Sequence, residues 1–460
     1  MAQPKLLTAK QRHDAGKALR EKCPRASHGK VVLGQGERDI VALIEASNQD
    51  RVEHLIPVRH GRMMQSAFAY FRGTAMIQAH DLAGTPASGI VVQACGDCHL
   101  MNFGGFATPE RNLVFDINDF DETFPAPFEW DVKRLVASFV VAARWRGFRP
   151  AQAREVAVLA AAQYRESLRK RAGHGVLEAW YASLTVDDVR AIDEDHDWRG
   201  RVKKAVADAH RQTHEHVFNK LTIPSKGLPR LVDQPPLIYH LDKRDASKAV
   251  VADFLKEYRA TLSEERRMLL DRFQMVDVAV KVVGVGSVGT RCYVVLLMAA
   301  PDDPLFLQVK EARASVLEPY AGQGRAAHNG ERVVVGQRLM QASSDIFLGW
   351  SRGPGGRDFY VRQLRDMKFS AAIETHTPST LRAYAKVCGT ALARAHDKAG
   401  DAARIAGYLG STDSFDEAMG DYGVAYADQV ERDYATFAAA VKDGRLKTDI
   451  SPSGLAAALR

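Results

Sequence analysis

The sequence predicts an α+β protein in two lobes, on three observations. Apolar residues at helical spacing dominate residues 1–235. Short apolar runs bounded by turn residues, the pattern of strands, crowd residues 236–370. Helical periodicity returns after Pro378 and continues through residue 460. The first boundary is marked by Pro224, Pro229, Pro235 and Pro236, which interrupt regular structure. The expected organisation is a helical lobe over 1–235, a β-rich lobe over 236–370, and helices over 371–460 that return to the first lobe.

The elements follow in order. Residues 1–50 read as helices around a glycine-containing loop at 34–36. Residues 90–96 and 113–117 are short apolar runs and read as buried strands. Residues 127–146 carry Trp130, Leu135, Phe139 and Val140 on one helical stripe, with Pro127 near the start. Helical patterns continue over 150–172, 175–184 and 197–219. Strands are expected at 277–283, 291–299, 304–310 and 358–364, with one helix at 330–341.

Composition narrows the class. The 46% hydrophobic and 26% charged content is that of an ordinary globular chain. No run reaches the ~18 consecutive apolar residues of a membrane helix. The first residues are charged and lack the apolar centre of a secretory signal, so the expectation is a cytoplasmic protein without a membrane partner. The net charge of +7 favours anionic partners such as nucleotides. Arg165, Arg169, Lys170 and Arg171 are interrupted by Glu166 and read as a solvated helix face, which leaves nucleic acid a secondary expectation. Five cysteines, an odd and sparse set, argue against a disulfide framework.

The chemistry concentrates between Cys95 and Asp131. A strand delivers Asp97 to a loop, Asn102 follows five residues on, and Asp116 ends the next apolar strand, with Asp119 and Asp121 just beyond. Phosphoryl transfer needs a carboxylate to orient and deprotonate an attacking hydroxyl, and hard oxygen ligands for Mg²⁺. The series Gly96-Asp97-x-His99-x-x-Asn102 followed by Asp116 resembles the catalytic and metal loops of protein kinases, and more closely those of aminoglycoside phosphotransferases and choline kinases. The resemblance implies Asp97 as the catalytic carboxylate, Asn102, Asp116 and Asp119 as metal ligands, and Asp131 as a structural anchor and helix cap. Two other readings overlap these residues. Acidic residues at strand ends also cap turns. Cys95-Gly96-Asp97-Cys98-His99 also fits a haem-attachment pattern, but it follows a buried strand, and no second Cys or His pair completes a zinc site.

Gly284-Val285-Gly286-Ser287-Val288-Gly289 fits Gly-x-Gly-x-x-Gly. A dinucleotide-binding fold would need a helix after these glycines, whereas residues 292–297 read as a strand. The glycines therefore cap a β-hairpin, as in the kinase glycine-rich loop that these residues resemble. The next strand ends in Lys310, like the kinase strand whose lysine meets the nucleotide phosphates. Glu331 is the expected ion-pair partner of Lys310, with Glu311 and Glu318 as competitors. The match departs from the kinase pattern at Arg291 and in a longer gap before Lys310.

In kinases the glycine loop precedes the catalytic loop, and here it follows. The resemblance therefore implies a protein-kinase-like fold with its lobes in circularly permuted order, which is permissible because contacts, not chain ends, define a fold. The chain also resembles a bacterial domain family of unknown function, through Arg59-His60-Gly61-Arg62-Met63, Phe68 to Gly73, Cys95 to Gly104, Val114 to Glu122 and Leu392 to His396. Arg59, Arg62 and Arg72 are candidates for binding phosphate or for pairing with local carboxylates, and His396 reads as structural. The expected function is ATP- and Mg²⁺-dependent phosphoryl transfer to a small-molecule or protein acceptor. The alternatives are nucleotidyl transfer on the same fold and a non-catalytic nucleotide- or nucleic-acid-binding module.

Overall fold

The computed structural model describes residues 6–33, 38–211, 214–224, 227–240, 248–322, 326–364 and 367–451. The expected glycine loop at 34–36 lies outside the described residues. The protein is mixed α+β, with antiparallel sheets set among many helices.

The helical layer begins with α1 (Ala9–Ala18) and α2 (Ile40–Asn48). The Asp39 side chain caps α2 by accepting from Val41 N and Ala42 N, which satisfies two N–H groups that the helix start leaves unpaired. Three short helices follow: α3 (Ile56–Met63), α4 (Ala67–Gly73) and α5 (Ala75–Leu82). Strand β1 (Val91–Ala94) pairs antiparallel with β4 (Phe124–Pro127), and between them β2 (Phe103–Ala107) and β3 (Leu113–Ile117) form a hairpin. Helix α6 (Phe128–Trp145) is almost wholly buried, and α7 (Pro150–Arg171) packs along it. The apolar stripe Val132, Leu135, Val136, Phe139 and Val140 recurs at three- and four-residue steps, so one helix face enters the core continuously.

The β-rich part is one six-stranded sheet. Its strands are β5 (Ile238–Tyr239), β6 (Gln274–Lys281), β7 (Cys292–Ala300), β8 (Asp303–Glu311), β9 (Gly349–Arg352) and β10 (Asp358–Gln363), in the order β9-β10-β8-β7-β6-β5. Both faces of its centre are covered. Val295 and Leu297 of β7 pack with Leu307, Phe359 and Tyr258, the last from helix α8 (Lys248–Ala260). Val294, Leu296 and Met298, which alternate with them, pack with Phe306, Leu221, Leu231 and Ile238. Burial on two faces explains why β7 reads as an unbroken apolar run instead of alternating.

Helix α9 (Asn329–Met340) lies between β8 and β9 in the chain and packs on β10. After β10 the chain adds β11 (Phe369–Ser370) to the edge of β2. It then closes with α10 (Pro378–Lys398), α11 (Ala402–Leu409) and α12 (Ser414–Lys442). Thr377 caps α10 in a reciprocal capping box and Pro378 occupies its first turn. These helices pack on the first ones, α10 on α7, α11 on α1 and α12 on α6 and α7. A single core cluster accordingly spans Cys23 to Val202 and Ile373 to Leu446. Among the described residues, no helix is long and apolar enough to cross a membrane.

Candidate functional site

The loop between β1 and β2 is held rigidly by one face of α6. Asp131 accepts from Cys95 N (2.6 Å) and Gly96 N (2.9 Å). Arg134, one helical turn on, donates through Nε to Asp97 Oδ1 (2.8 Å), and Ser138 Oγ accepts from Leu100 N (3.0 Å). Spacings of three and four residues put all three side chains on one face of the helix. Asp131 thus anchors the loop, although it sits in the first turn of α6 and does not cap it. Gly96 has φ +88°, and a Cβ there would meet the Glu122 carbonyl oxygen at 2.2 Å, so only glycine fits this turn. Behind Asp131 stands fully buried His396, with its Nε2 3.2 Å away and its Nδ1 2.8 Å from the Tyr164 hydroxyl.

A cavity opens in front of this loop, between the helical layer and the sheet. Asp97, Asp119, Asp121 and Glu122 line it together with Gly286 and Ser287 of the turn between β6 and β7. Two parts of the sequence nearly two hundred residues apart therefore line one cavity. The glycine turn rests on the helical layer. Arg62 donates to the Gly284 carbonyl (2.6 Å), Val52 N to the Gly289 carbonyl (2.7 Å) and Arg51 to the Val288 carbonyl (2.6 Å). Buried Val288 packs with Leu55, Val58 and Val282. Gly284 and Gly289 have positive φ and shape the turn, whereas Gly286 and Ser287 face the cavity.

Lys310 reaches Asp121 from β8. Its Nζ lies 2.6 Å from Asp121 Oδ2, and the Tyr360 hydroxyl donates to Asp121 Oδ1 (2.6 Å). Glu331, the expected partner of Lys310, is instead exposed at the start of α9. Glu311 pairs with Arg291. The lysine is thus matched from across the molecule and not by a helix neighbour.

Asp116 also departs from expectation. It is fully buried at the end of β3 and is absent from the cavity wall. Its Oδ1 accepts from Arg394 (2.6 Å) and Ile117 N (2.8 Å), and its Oδ2 from Ala342 N (2.8 Å). With both oxygens engaged by the protein, it is a structural carboxylate that ties β3 to α10. Asn102 also stands back from the wall, where its amide donates to the Asp97 carbonyl (2.6 Å) and closes the loop.

The electrostatics separate the carboxylates. Burial pushes Asp97 above its ordinary value, against the pull of Arg134 and Arg72. Burial and then neighbouring Asp121 push Asp119 up, with Lys310 and Arg362 opposing. Burial acts on Asp121 in the same sense, but Lys310 and the Tyr360 hydroxyl outweigh it and hold it below the ordinary range. Burial raises Glu122 to about 7, against the Val316 N–H that its side chain accepts (2.8 Å). Cys95 and Cys98 are both buried free thiols. Hydrogen bonding to Cys98 and burial raise Cys95, and burial raises Cys98 to about 12, so neither thiol is poised as a thiolate ligand. Among the described residues, no group of three or more His, Cys, Asp or Glu side chains is arranged to hold a metal unaided.

The same cavity is lined by Arg51, Arg59, Arg72 and Arg313. Sequence reasoning singled out Arg59 and Arg72 but not Arg51, Arg313 or Arg134. Arg134 had a readable signal, being three residues beyond Asp131 on the same helix. A family model described as an uncharacterized protein conserved in bacteria (DUF2252) matches residues 51–440. No curated protein and no solved structure matches the chain.

Proposed function

The chain belongs to this uncharacterised bacterial family, whose model spans residues 51–440, and from that premise we propose that it is an ATP- and Mg²⁺-dependent phosphotransferase of permuted protein-kinase-like fold. The observation that carries this reading is the shared cavity, which Asp97 and Asp119 line together with Gly286 and Ser287. The order of glycine turn, lysine strand, helix and Tyr360 strand within one antiparallel sheet supports the kinase resemblance.

Asp97 faces the cavity with its carboxylate oriented by Arg134, and its raised pKa suits a general base. It takes the proton of an acceptor hydroxyl as that oxygen attacks the terminal phosphorus of ATP. The bond from that phosphorus to the bridging oxygen breaks and ADP leaves. The glycine turn lets backbone N–H groups approach the phosphates. Asp119 has no ion pair among the described residues, and burial disfavours its charge, so a divalent cation fits it. Mg²⁺ takes one or two protein carboxylates and completes its shell with phosphate oxygens and water, consistent with the lack of a self-sufficient ligand cluster. When bound, it would neutralise charge on the transferring phosphoryl group. Asp121 and Lys310 hold the two layers in register beside it.

Thermal unfolding with and without Mg·ATP tests this. Wild type is expected to gain several degrees, and Asp119→Asn and Lys310→Ala to lose that gain. Asp97→Asn should keep the gain and lose ADP formation. An unchanged melting temperature of wild type at millimolar Mg·ATP would sink the reading.

One observation favours nucleotidyl transfer as a second reading. The kinase resemblance implies that the strand from Tyr360 to Leu364 leads to the adenine, and on it Arg362 donates to Gln308 Oε1 (3.0 Å) and the Asn118 carbonyl (3.1 Å). We take this bonded pair to occupy the face on which the resemblance would place a base, which would suit ATP bound in the reverse sense. The mass added to the product separates transfer of a phosphoryl group from transfer of AMP.

A further inference from the structure

Three guanidinium groups converge on Ser47 at the end of α2. Arg59 donates to Ser47 Oγ (2.9 Å), and Arg51 (2.8 Å) and Arg313 (3.5 Å) donate to its carbonyl oxygen. Their other bonds go to neutral groups: the Asn48 side chain and the carbonyls of Gly73, Val288 and Gln49. Arg72 beside them makes no hydrogen bond or ion pair among the described residues, and its guanidinium lies 5.9 Å from the Phe68 ring centroid. The Nε atoms of Arg59 and Arg72 are buried without a partner.

Capping of α2 does not account for four charges. The C-terminus of a helix offers roughly half of one negative charge. Of the acids that line the cavity, Asp97 pairs with Arg134, Asp121 with Lys310 and Glu311 with Arg291, and Asp119 makes no ion pair with any of the four arginines. Glu122, at about 7, is only partly ionised near neutrality. Burial lowers Arg51 well below its ordinary value and Arg59 to about 10, with neighbouring arginines pushing the same way. Arg59 is buried and the other three are half-buried, and none has a carboxylate at ion-pair distance among the described residues. Such a cluster is stabilised by a multivalent anion, and arginine's planar fork matches phosphate oxygens.

We propose that Arg59 and Arg72, backed by Arg51 and Arg313, form a phosphate subsite, and that the acceptor is a phosphorylated small molecule. This rests on the phosphotransferase reading for its second half only, because the subsite itself requires neither nucleotide nor Mg²⁺. Arg72 lies on the same cavity as Asp97, so a phosphate held there would present a hydroxyl of the same molecule to the general base.

The test is inorganic phosphate binding to the full chain by calorimetry and thermal shift, without Mg²⁺, on wild type, Arg72→Gln and Asp119→Asn. Wild type should bind phosphate. Arg72→Gln should bind it roughly 10- to 100-fold more weakly, the loss of one charge-assisted contact. Its melting temperature without phosphate should be equal to or above that of wild type, because the half-buried arginine it replaces makes no hydrogen bond or ion pair among the described residues and desolvation outweighs the pull of Asp97. Asp119→Asn should retain phosphate binding while losing the Mg·ATP response. Failure of the nucleotide reading would thus leave the phosphate result legible. Equal phosphate binding by Arg72→Gln and wild type, or an Arg72→Gln variant clearly less stable without phosphate, would overturn the subsite. A non-hydrolysable Mg·ATP analogue separates the two sources of phosphate. Additive binding supports a phosphorylated acceptor, whereas mutual exclusion assigns the arginines to the nucleotide and overturns the acceptor half.

Discussion

Two aspartates three residues apart have opposite surroundings. Asp116 is fully buried with Arg394 2.6 Å away, and Asp119 lines the cavity without an ion pair among the described residues. Asp116→Asn strands a buried guanidinium and should cost about 3–5 kcal/mol of stability, measurable by urea unfolding. Asp119→Asn removes a charge that burial disfavours and should leave stability equal or higher. Nothing local in Val114-Phe115-Asp116-Ile117-Asn118-Asp119 separates the two, because the arginine that claims Asp116 lies 278 residues away. Glu122 supplies a pH signature. Its carboxyl is raised from 4.5 to about 7, so the folded state holds an extra proton between those values. Its contribution to stability is therefore full below pH 4.5 and falls as pH rises towards 7. His60 and His376, lowered by burial from 6.5 to about 4, act in the opposite sense and cost stability as pH falls through that window. The Glu122 effect must thus be read as a difference. Wild type minus Glu122→Gln should fall by about 2–3 kcal/mol between pH 4.5 and 7 in melting experiments. A flat difference would show the carboxyl to be solvated.

At the scale of elements, the loop from Cys95 to Asn102 depends on its glycine. Gly96→Ala adds a methyl group against the Glu122 carbonyl at a positive φ and should cost roughly 2–4 kcal/mol. It should also weaken the Mg·ATP response, because Asp97 is held by the same turn, and paired thermal scans check both. Most elements were legible where one period ran long enough. The apolar stripe of α6, the unbroken run of β7 and the turn glycines at 284–289 all identify themselves. β2 was hidden, because Phe103-Gly104-Gly105 reads as a turn. Its glycines serve packing, since a Cβ on Gly104 would strike the Phe369 carbonyl and one on Gly105 the Phe369 ring. The strand exists because β3 and β11 flank it, and no local pattern contains that. The same holds for Lys310: its strand was legible, but its partner Asp121 comes from another layer and Glu331 was the nearer guess.

For the whole molecule, the helical layer is built from both ends of the sequence. Leu381, Leu392, Phe415, Tyr422 and Phe437 belong to the same core cluster as Val136, Phe139 and Tyr164. A fragment ending at residue 370 should therefore lack cooperative unfolding by circular dichroism, since cutting away α10–α12 strips the core face of α6 and α7. Cooperative melting of that fragment would refute the shared core. The same connectivity has a consequence for synthesis. At ~5–20 residues per second, Arg394 leaves the ribosome on the order of ten to fifty seconds after Asp116. Through that interval the segment from Asp97 to Glu122 has its acids, but Asp116 lacks the arginine that pairs with it. The sheet, whose strands are neighbours in the chain, can close first and serve as the platform on which the returning helices complete the site.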